Sequence, residues 1–239
     1  YCASKGNSAY NDRIGKVEFG ANYGSKISNR STGSAGYENF IPVYTNVTRG
    51  SAYTITITPR REPGQTYAEG YAVFMDYNNN GSFEDAGERV WTQPASQATS
   101  VTGTFTIPLT AYLGSTRMRV AMKRDGIPTS CETFARGQVE DYTLYIMTPP
   151  VLKAAATTEE TTANLSWSAP AGIDVMEYEI WRDNTFVAST TSLTYRVKNL
   201  PPGKHEFYVI ANDARGNKTI PSNSVSCIVY CAEFGLGIE

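Results

Sequence analysis

The chain has 239 residues, enough for one large β domain or two ordinary ones. Its 21 basic and 23 acidic residues nearly balance, which excludes a general electrostatic attraction to nucleic acid or to anionic membranes. Because the chain has a single histidine, His-rich zinc sites and repeated-His metalloprotease motifs are excluded, and carboxylate-only catalysis is the enzyme class that remains.

Most periodic stretches alternate apolar and polar residues with period two, which is typical of half-buried β-strands. The clearest are residues 51–59, 100–107, 117–123 and 139–146. In the third of these, the alternation places Met118, Val120 and Met122 on the inward face. No helical period is sustained, and no apolar run reaches the length of a membrane-spanning helix. The sequence therefore predicts an all-β protein built from sandwiches.

Residues 148–150 (Thr-Pro-Pro) mark the predicted domain boundary, because consecutive prolines favour an extended and fairly stiff connector. About eight candidate strands precede it in residues 1–147, as a jelly-roll sandwich requires, and about seven follow it in residues 151–231. Residues 232–239 do not resemble a strand of the second domain, and their origin stays open. Because the chain begins with Tyr1 and not Met, we expect it to be a piece of a longer protein.

Four cysteines, Cys2, Cys131, Cys227 and Cys231, allow three disulfide pairings. Cys2 and Cys131 flank the first predicted domain, and a bridge between them suits an oxidising compartment. The alternative is that they are two buried free thiols. Cys227 and Cys231 would lie about 13 Å apart on a straight strand, so they pair only if the chain bends sharply. The sequence leaves that second bridge open.

Several short motifs are found in the second predicted domain: Leu165-Ser166-Trp167, Tyr178-Glu179-Ile180-Trp181-Arg182-Asp183, Leu200-Pro201-Pro202-Gly203 and Val209-Ile210-Ala211-Asn212-Asp213. On these motifs residues 151–231 resemble a fibronectin type III domain, which implies an immunoglobulin-like β-sandwich with Trp167 in its core. The resemblance puts His205 where the family usually has its corner tyrosine, so a structural role is expected for it. In secreted bacterial proteins such domains resemble spacers more often than binders.

The first predicted domain has its own motifs: Val17-Glu18-Phe19-Gly20, Phe74-Met75-Asp76-Tyr77-Asn78-Asn79-Asn80-Gly81, Thr116-Arg117-Met118-Arg119-Val120 and Gly137-Gln138-Val139-Glu140-Asp141-Tyr142. On these motifs residues 1–147 resemble the GEVED domain, a β-sandwich module of secreted bacterial proteins, especially from Bacteroidetes. Gln138 stands where the family usually has a glutamate. The resemblance implies an accessory module attached to metalloproteases, glycoside hydrolases or adhesin-like chains.

Residues 76–82 (Asp-Tyr-Asn-Asn-Asn-Gly-Ser) place oxygen-bearing side chains at positions 1, 3 and 5 of a loop, with glycine at position 6. Calcium takes six to eight oxygen ligands, and this spacing brings three of them together. An EF-hand would place glutamate at position 12, where this chain has Gly87. The alternative is an Asn-rich β-turn, since Asn80-Gly81 is a favoured hairpin pair. The predicted ligands of a weak calcium site are Asp76, Asn78, Asn80, Ser82, Asp85 and Glu88.

Glu140 and Asp141 are adjacent, so on a strand their side chains point to opposite faces. The one that points into the sandwich needs a partner, because an unpaired buried carboxylate is costly. The partner would be backbone N–H groups or a cation, for which Arg117, Arg119 and Lys5 are the candidates. We expect a structural ion pair here, and a ligand site is the alternative.

Aromatic residues in or beside predicted loops offer a second kind of site, because exposed rings present flat apolar faces on which sugars stack. The candidates are Tyr10, Tyr23, Tyr37, Tyr77 and Trp91. The alternative is that these rings anchor loops and fill the sandwich cores.

Three hypotheses follow from these features. The first is a monomeric, non-catalytic accessory segment of a larger secreted or cell-surface protein, which has its catalytic domain elsewhere on the same parent chain. Its first domain would bind polysaccharide or an extracellular matrix protein and be stabilised by calcium, and its second domain would be a spacer. The second hypothesis is a purely structural spacer or cell-surface attachment segment. The third is an enzyme that uses carboxylates alone, although the spacing identifies no acid pair.

Overall fold

The computed structural model describes residues 1–20, 26–33, 35–156 and 161–230, and in it the chain forms two compact units. The first unit is Tyr1–Met147 and the second begins at Thr148. All regular elements of the described residues are β-strands, so the predicted all-β class is confirmed. No helix long and apolar enough for a membrane crossing is found in these ranges. Tyr23, Cys231 and residues 232–239 lie outside the described residues.

The described part of the first unit has ten strands. They are β1 (Lys5–Ser8), β2 (Asp12–Gly20), β3 (Ile27–Arg30), β4 (Tyr37–Thr48), β5 (Ala52–Arg61), β6 (Glu69–Met75), β7 (Arg89–Ser96), β8 (Val101–Thr106), β9 (Gly114–Arg124) and β10 (Thr133–Met147). The stretches with period-two alternation lie in β5, β8, β9 and β10. The local pattern therefore predicted these four strands correctly.

The strands of the first unit form two sheets. The large sheet has the order β1-β10-β9-β6-β7, with β4 also pairing β10, and the small sheet has the order β3-β2-β5-β8. Strands β1 and β4 both run parallel to β10, and they pair with successive parts of it. The two-sheet sandwich agrees with the prediction. It differs from a jelly roll in having ten strands and two parallel pairings, since jelly rolls are antiparallel.

The main core of the first unit lies between its two sheets. The alternating residues of β9 that were predicted to face inward, Met118, Val120 and Met122, are fully buried there. They pack with residues of the small sheet such as Ile55 and Ile57. This contact between alternating apolar faces is what holds the sandwich together.

The opposite face of the large sheet, which we call the outer face, is also covered. A second apolar cluster lies on it, containing Ala72, Phe74, Phe83, Ala121, Phe134 and Val139. Every residue of β6 is consequently buried, on both faces of the strand. The outer face is covered by loop residues and by residues 1–4, which we call the N-terminal segment.

The described part of the second unit has seven strands. They are β11 (Val151–Ala156), β12 (Ala163–Ser168), β13 (Val175–Arg182), β14 (Thr185–Thr190), β15 (Thr194–Val197), β16 (Gly203–Asp213) and β17 (Val225–Val229). Strands β11, β12 and β15 form one sheet, and the order β14-β13-β16-β17 forms the other. The expected immunoglobulin-like sandwich is confirmed.

Two residues of the second unit occupy the structural positions predicted for them. Trp167 is 3% exposed, and its ring lies edge-on to Tyr178 with centroids 5.5 Å apart. His205 is buried, and its Nε2 donates to the Pro201 carbonyl at 2.8 Å, four residues upstream. A corner tyrosine makes the same kind of bond to upstream backbone. Asp183 Oδ2 lies 2.9 Å from the other ring nitrogen, so the histidine is held from both sides.

Candidate functional site

The N-terminal segment is fixed on the outer face of the large sheet by a disulfide. Cys2 and Cys131 are bonded, with their Cα atoms 5.4 Å apart, so the predicted bridge is confirmed. Arg119 Nη1 donates to the carbonyls of Cys2 at 3.0 Å and Ser130 at 2.8 Å, on the two sides of the bridge. Cys227 is buried and makes no disulfide with any described cysteine. Its pairing with Cys231 lies outside the described residues.

Asp141 points to the outer face, and it forms the ion pair that was expected for the inward-facing acid. Its carboxylate is fully buried and accepts from Arg119 Nε at 2.8 Å and Nη2 at 2.9 Å, a bidentate geometry. Tyr37 adds its hydroxyl to the same carboxylate at 3.2 Å, and Arg117 Nη1 lies 3.6 Å away. Buried charges tolerate this environment only when they are paired and hydrogen-bonded in this way. Of the three candidate partners, Lys5 makes no ion pair with a described residue.

Glu140 points to the other face, into the core between the sheets, and here the expectation of an arginine partner is wrong. Its partners are hydroxyls: Ser31 Oγ donates to Oε1, and Tyr142 OH donates to Oε2 at 2.5 Å. Burial raises the pKa of the Glu140 carboxyl to about 7, and the nearby charge of Glu38 adds to this. Hydroxyl donors take the place of a cation because Arg119 of β9 pairs with Asp141 of β10 on the opposite face of the same sheet.

The Gln138 side chain connects two distant backbone groups. Its Oε1 accepts from Ile14 N at 2.9 Å, and its Nε2 donates to the Ala35 carbonyl at 2.9 Å. An amide supplies both a donor and an acceptor, whereas an ionised carboxylate only accepts. The glutamine at this position therefore fits its partners in this chain.

Asp76 organises the loop of residues 76–88, which we call the Asp76 loop. The carboxylate is fully buried and accepts from Asn80 N at 3.2 Å, Gly81 N at 2.9 Å and the Tyr1 hydroxyl at 2.7 Å. The turn requires a left-handed backbone at Asn79 (φ 58°) and at Gly81 (φ 84°). The loop thus closes around the first predicted calcium ligand.

The polar side chains further along the Asp76 loop bind its own backbone or each other. Asn78 Oδ1 accepts from Asn80 N at 3.0 Å, and Asn80 Oδ1 accepts from Ser82 N at 2.8 Å. Ser82 Oγ accepts from the Glu84 amide at 3.1 Å, and Asp85 Oδ2 accepts from Asn80 Nδ2 at 2.8 Å. Of these four predicted ligands, Asn78, Asn80 and Asp85 are exposed and Ser82 is half-buried, whereas the Asp76 carboxylate is fully buried.

Glu88, the last predicted ligand, lies beneath the beginning of the loop. Its Oε1 accepts from Tyr77 N at 2.8 Å and from Asn78 N at 3.3 Å. Its Oε2 is buried without a hydrogen-bond partner among the described residues. Burial raises the pKa of this carboxyl, and repulsion from Asp76 and Asp85 adds to the effect. Across the described ranges, no three His, Cys, Asp or Glu side chains are already gathered as a metal cluster.

The aromatic residues proposed for sugar stacking do not share one surface. Tyr10 is 64% exposed, and Tyr37 is half-buried on the outer face with its hydroxyl bound to Asp141. Tyr77 is buried in the main core, which corrects the expectation of an exposed ring. Trp91 is half-buried against the same core, where a Cβ added at Gly103 would lie 2.3 Å from its indole atoms. For Tyr77 and Trp91 the alternative of core filling describes the structure better.

Comparison with known families identifies part of the first unit. Residues 70–145, from the second residue of β6 almost to the end of β10, match the GEVED domain family. The first unit contains a GEVED domain. The matched range includes the Asp76 loop, the Arg119–Asp141 pair and the sequence Gln138–Tyr142, so the geometry above belongs to this domain.

Two curated proteins are similar in sequence to parts of this chain. Chitinase D of Niallia circulans is 39% identical over 69 residues, which is 28% of this chain and 13% of that protein. Exoglucanase B of Cellulomonas fimi is 29% identical over 133 residues, 54% of this chain and 12% of that protein. Among solved structures, the fibronectin(III)-like modules of Clostridium thermocellum CbhA match with a TM-score of 0.34 and 15% identity. That match covers 79% of this chain and 90% of the modules.

The structure also places two side chains in the first unit, Tyr1 beside the Asp76 loop and Glu38 beside Glu140, that no local pattern indicated. Tyr1 connects the N-terminal segment to the Asp76 loop, since its ring packs against the Phe83 ring with centroids 4.8 Å apart and a tilt of 31°. Burial, together with the hydrogen bond to Asp76, raises the pKa of its hydroxyl to about 12. Glu38 lies beside Glu140 because β4 pairs in parallel with β10. Parallel pairing between strands so far apart in the sequence leaves no local signature.

Proposed function

We propose that this chain is a non-catalytic accessory segment of a larger extracellular protein that acts on polysaccharides. The observation that supports this is the share of the relatives that the chain spans, 13% of a chitinase and 12% of an exoglucanase. Most of each relative lies outside the shared region, which leaves room there for the catalytic machinery. The Cys2–Cys131 bridge supports an extracellular place, since structural disulfides persist in oxidising compartments.

In this proposal the GEVED-containing unit recognises a polysaccharide or an extracellular matrix protein, and the type III unit is a spacer. The test is retention of the purified chain on insoluble chitin, cellulose, alginate gel and collagen. Retention on one material, with no retention on an inert resin, is the expected result. No retention on any of the four would refute recognition.

We also propose that calcium stabilises the Asp76 loop. The support is the buried Oε2 of Glu88, which has no partner among the described residues, together with the repulsion between Glu88 and the buried Asp76 carboxylate, since a cation would neutralise this pair of negative groups. Asp76, Asn78, Asn80, the Ser82 carbonyl, Asp85 and Glu88 would supply the oxygens. When bound, the ion would supply positive charge to a site that has an excess of acceptors.

Thermal melting with 5 mM calcium against EDTA tests this proposal. A dissociation constant of about 10⁻⁴ to 10⁻³ M, as in extracellular modules, gives about 1 to 2 kcal/mol of stabilisation and a melting shift of about 3 to 8 °C. Glu88→Gln keeps the Oε1 acceptor but removes the charge, so it should fold and lose most of the shift. Glu84→Gln, an exposed neighbour, is the matched control and should keep it. Equal shifts in both variants would refute the site.

The structural spacer remains the second candidate function. The observation that favours it is the scatter of the predicted aromatic residues, of which Tyr77 and Trp91 pack in or against the core of the first unit. A pure spacer is retained on none of the four materials, yet it tolerates replacement by an unrelated rigid sandwich of equal length without loss of the parent protein's activity.

A further inference from the structure

A small pocket opens on the outer face of the large sheet, between the N-terminal segment and β9. Its volume is about 250 Å³, and its walls include the side chains of Tyr1, Tyr37 and Arg117. Pockets for drug-sized ligands start at about 300 Å³, so this one has room for a single sugar ring or a group of similar size.

The floor of the pocket is held in place by hydrogen bonds and by the disulfide. The Arg119 guanidinium donates hydrogen bonds to Asp141, to the carbonyl of Cys2 and to the carbonyl of Ser130. The disulfide between Cys2 and Cys131 fixes the backbone above it. A site preorganised in this way loses little conformational entropy when a ligand binds.

Two cationic side chains at the pocket, Arg117 and Lys5, have hydrogen-bond donors that no described residue accepts from. Arg117 makes no side-chain hydrogen bond with a described residue: its guanidinium lies 3.6 Å from Asp141 Oδ2 and 4.1 Å from the centroid of the Tyr1 ring. Lys5, also at the pocket, is exposed and forms no ion pair within the described part of the chain. With Arg119 the lining has three cations against the one carboxylate of Asp141.

We propose that this pocket binds the carboxylate of a uronic acid residue in an acidic polysaccharide, with Arg117 as its principal ligand. A guanidinium presents paired donors that match a carboxylate, and the excess of positive charge complements a negative ligand. The ring of Tyr37 supplies an apolar wall for the C–H face of the sugar, and the Tyr1 ring supports the Arg117 guanidinium. This inference rests on the proposed function and names its ligand class.

The test is titration of the 239-residue chain with trigalacturonate, followed by calorimetry at a fixed calcium concentration. The fully methyl-esterified trisaccharide is the matched neutral ligand, because it keeps the rings and removes the charge. Arg117→Gln is the test variant, since its side chain is partly exposed and lacks hydrogen bonds to described residues. Arg136→Gln, an exposed arginine of β10 outside the pocket, is the control.

We expect trigalacturonate to bind, the methyl ester to bind at least about tenfold more weakly, and Arg117→Gln to weaken trigalacturonate binding by about tenfold. Lys5→Gln should weaken it less, and Arg136→Gln should leave it unchanged. Added salt should weaken wild-type binding. Equal binding of the ester, or no effect of Arg117→Gln in a variant with unchanged melting temperature, would overturn the proposal. Tighter binding of a peptide through its free C-terminal carboxylate would overturn the saccharide assignment.

Retention on insoluble polymers separates this inference from the proposed function. If the chain is retained on chitin or cellulose but shows no preference for uronates, the accessory function stands and the pocket assignment fails. If it is retained on none of the four materials and binds no trisaccharide, the proposed recognition and the pocket assignment both fail. Retention on alginate gel that Arg117→Gln abolishes supports both.

Discussion

Replacing Glu140 by glutamine isolates the energetic effect of a carboxyl group buried between the two sheets. The folded chain raises the pKa of this group from 4.5 to about 7, mainly because the side chain is buried. The unfolded chain therefore releases the proton first as the pH rises through this interval. Wild-type stability should fall between the two values and level off above the higher one, because the folded state binds more protons there. The difference between the folded and unfolded pKa values corresponds to about 3 kcal/mol of unfolding free energy.

Glu140→Gln keeps an acceptor for Tyr142 and Ser31 but has no proton to release. The measurement is the unfolding free energy of both proteins by urea denaturation at several pH values from 4 to 8. The transition of the first unit is the one that a disulfide reductant shifts, because the described bridge lies in that unit. Wild-type stability relative to the variant should fall by about 3 kcal/mol over this range, and the variant should be the more stable protein at pH 8.

A stability difference between the two proteins that stays constant from pH 4 to 8 would refute the argument. It would mean that the Glu140 pKa in the folded chain equals its value in the unfolded chain, with the Tyr142 and Ser31 hydroxyls offsetting the effect of burial. Ser31→Ala gives an independent check, since losing one donor to the carboxylate should raise the pKa further and steepen the dependence on pH.

Three other substitutions test the packing of the first unit. Replacing Cys2 and Cys131 by serine opens a loop of sequence separation 129 and should cost about 5 kcal/mol on the chain-entropy model, measured by urea denaturation. Gly103→Ala places a methyl group against the Trp91 ring and should cost about 1 to 3 kcal/mol, with a change in tryptophan fluorescence; an unchanged melting temperature would contradict this packing. Gln138→Glu loses the donor to the Ala35 carbonyl and should cost about 1 to 3 kcal/mol of unfolding free energy at pH 8. The cost should be smaller at pH 4, where a protonated carboxyl can donate again. An equal cost at the two pH values would contradict the hydrogen-bond assignment.

Much of the fold is determined by local sequence patterns. Period-two alternation predicted β5, β8, β9 and β10, because side chains on a strand point alternately to its two faces wherever the strand lies. The same rule placed Glu140 and Asp141 on opposite faces. The Cys2–Cys131 bridge was also predicted from the sequence, since two cysteines flank one folded unit. For Trp167 and His205, the resemblance of the surrounding motifs to a fibronectin type III domain predicted structural roles.

The candidate site could be predicted only in part. The spacing of Asp76, Asn78 and Asn80 indicated the loop, but not that Tyr1 donates to Asp76 from 75 residues away. The position of Tyr77 and Trp91 in or beside predicted loops suggested exposed rings, yet both pack in or against the core. Nothing in the alternation of 117–123 indicated that the outward Arg119 would be buried.

The sequence by itself determined the all-β class, the strands β5, β8, β9 and β10 with the alternating faces of their side chains, and the bridge that fixes the N-terminal segment. The tertiary structure decided which faces are covered, and hence that Asp141 pairs with Arg119 while Glu140 is left with hydroxyl partners. The reason is that alternation is a property of neighbouring residues, whereas burial depends on segments that arrive from elsewhere in the chain. The parallel strand β4, the N-terminal segment and the Asp76 loop complete the surroundings of these two acids, and their positions follow from packing of the whole unit.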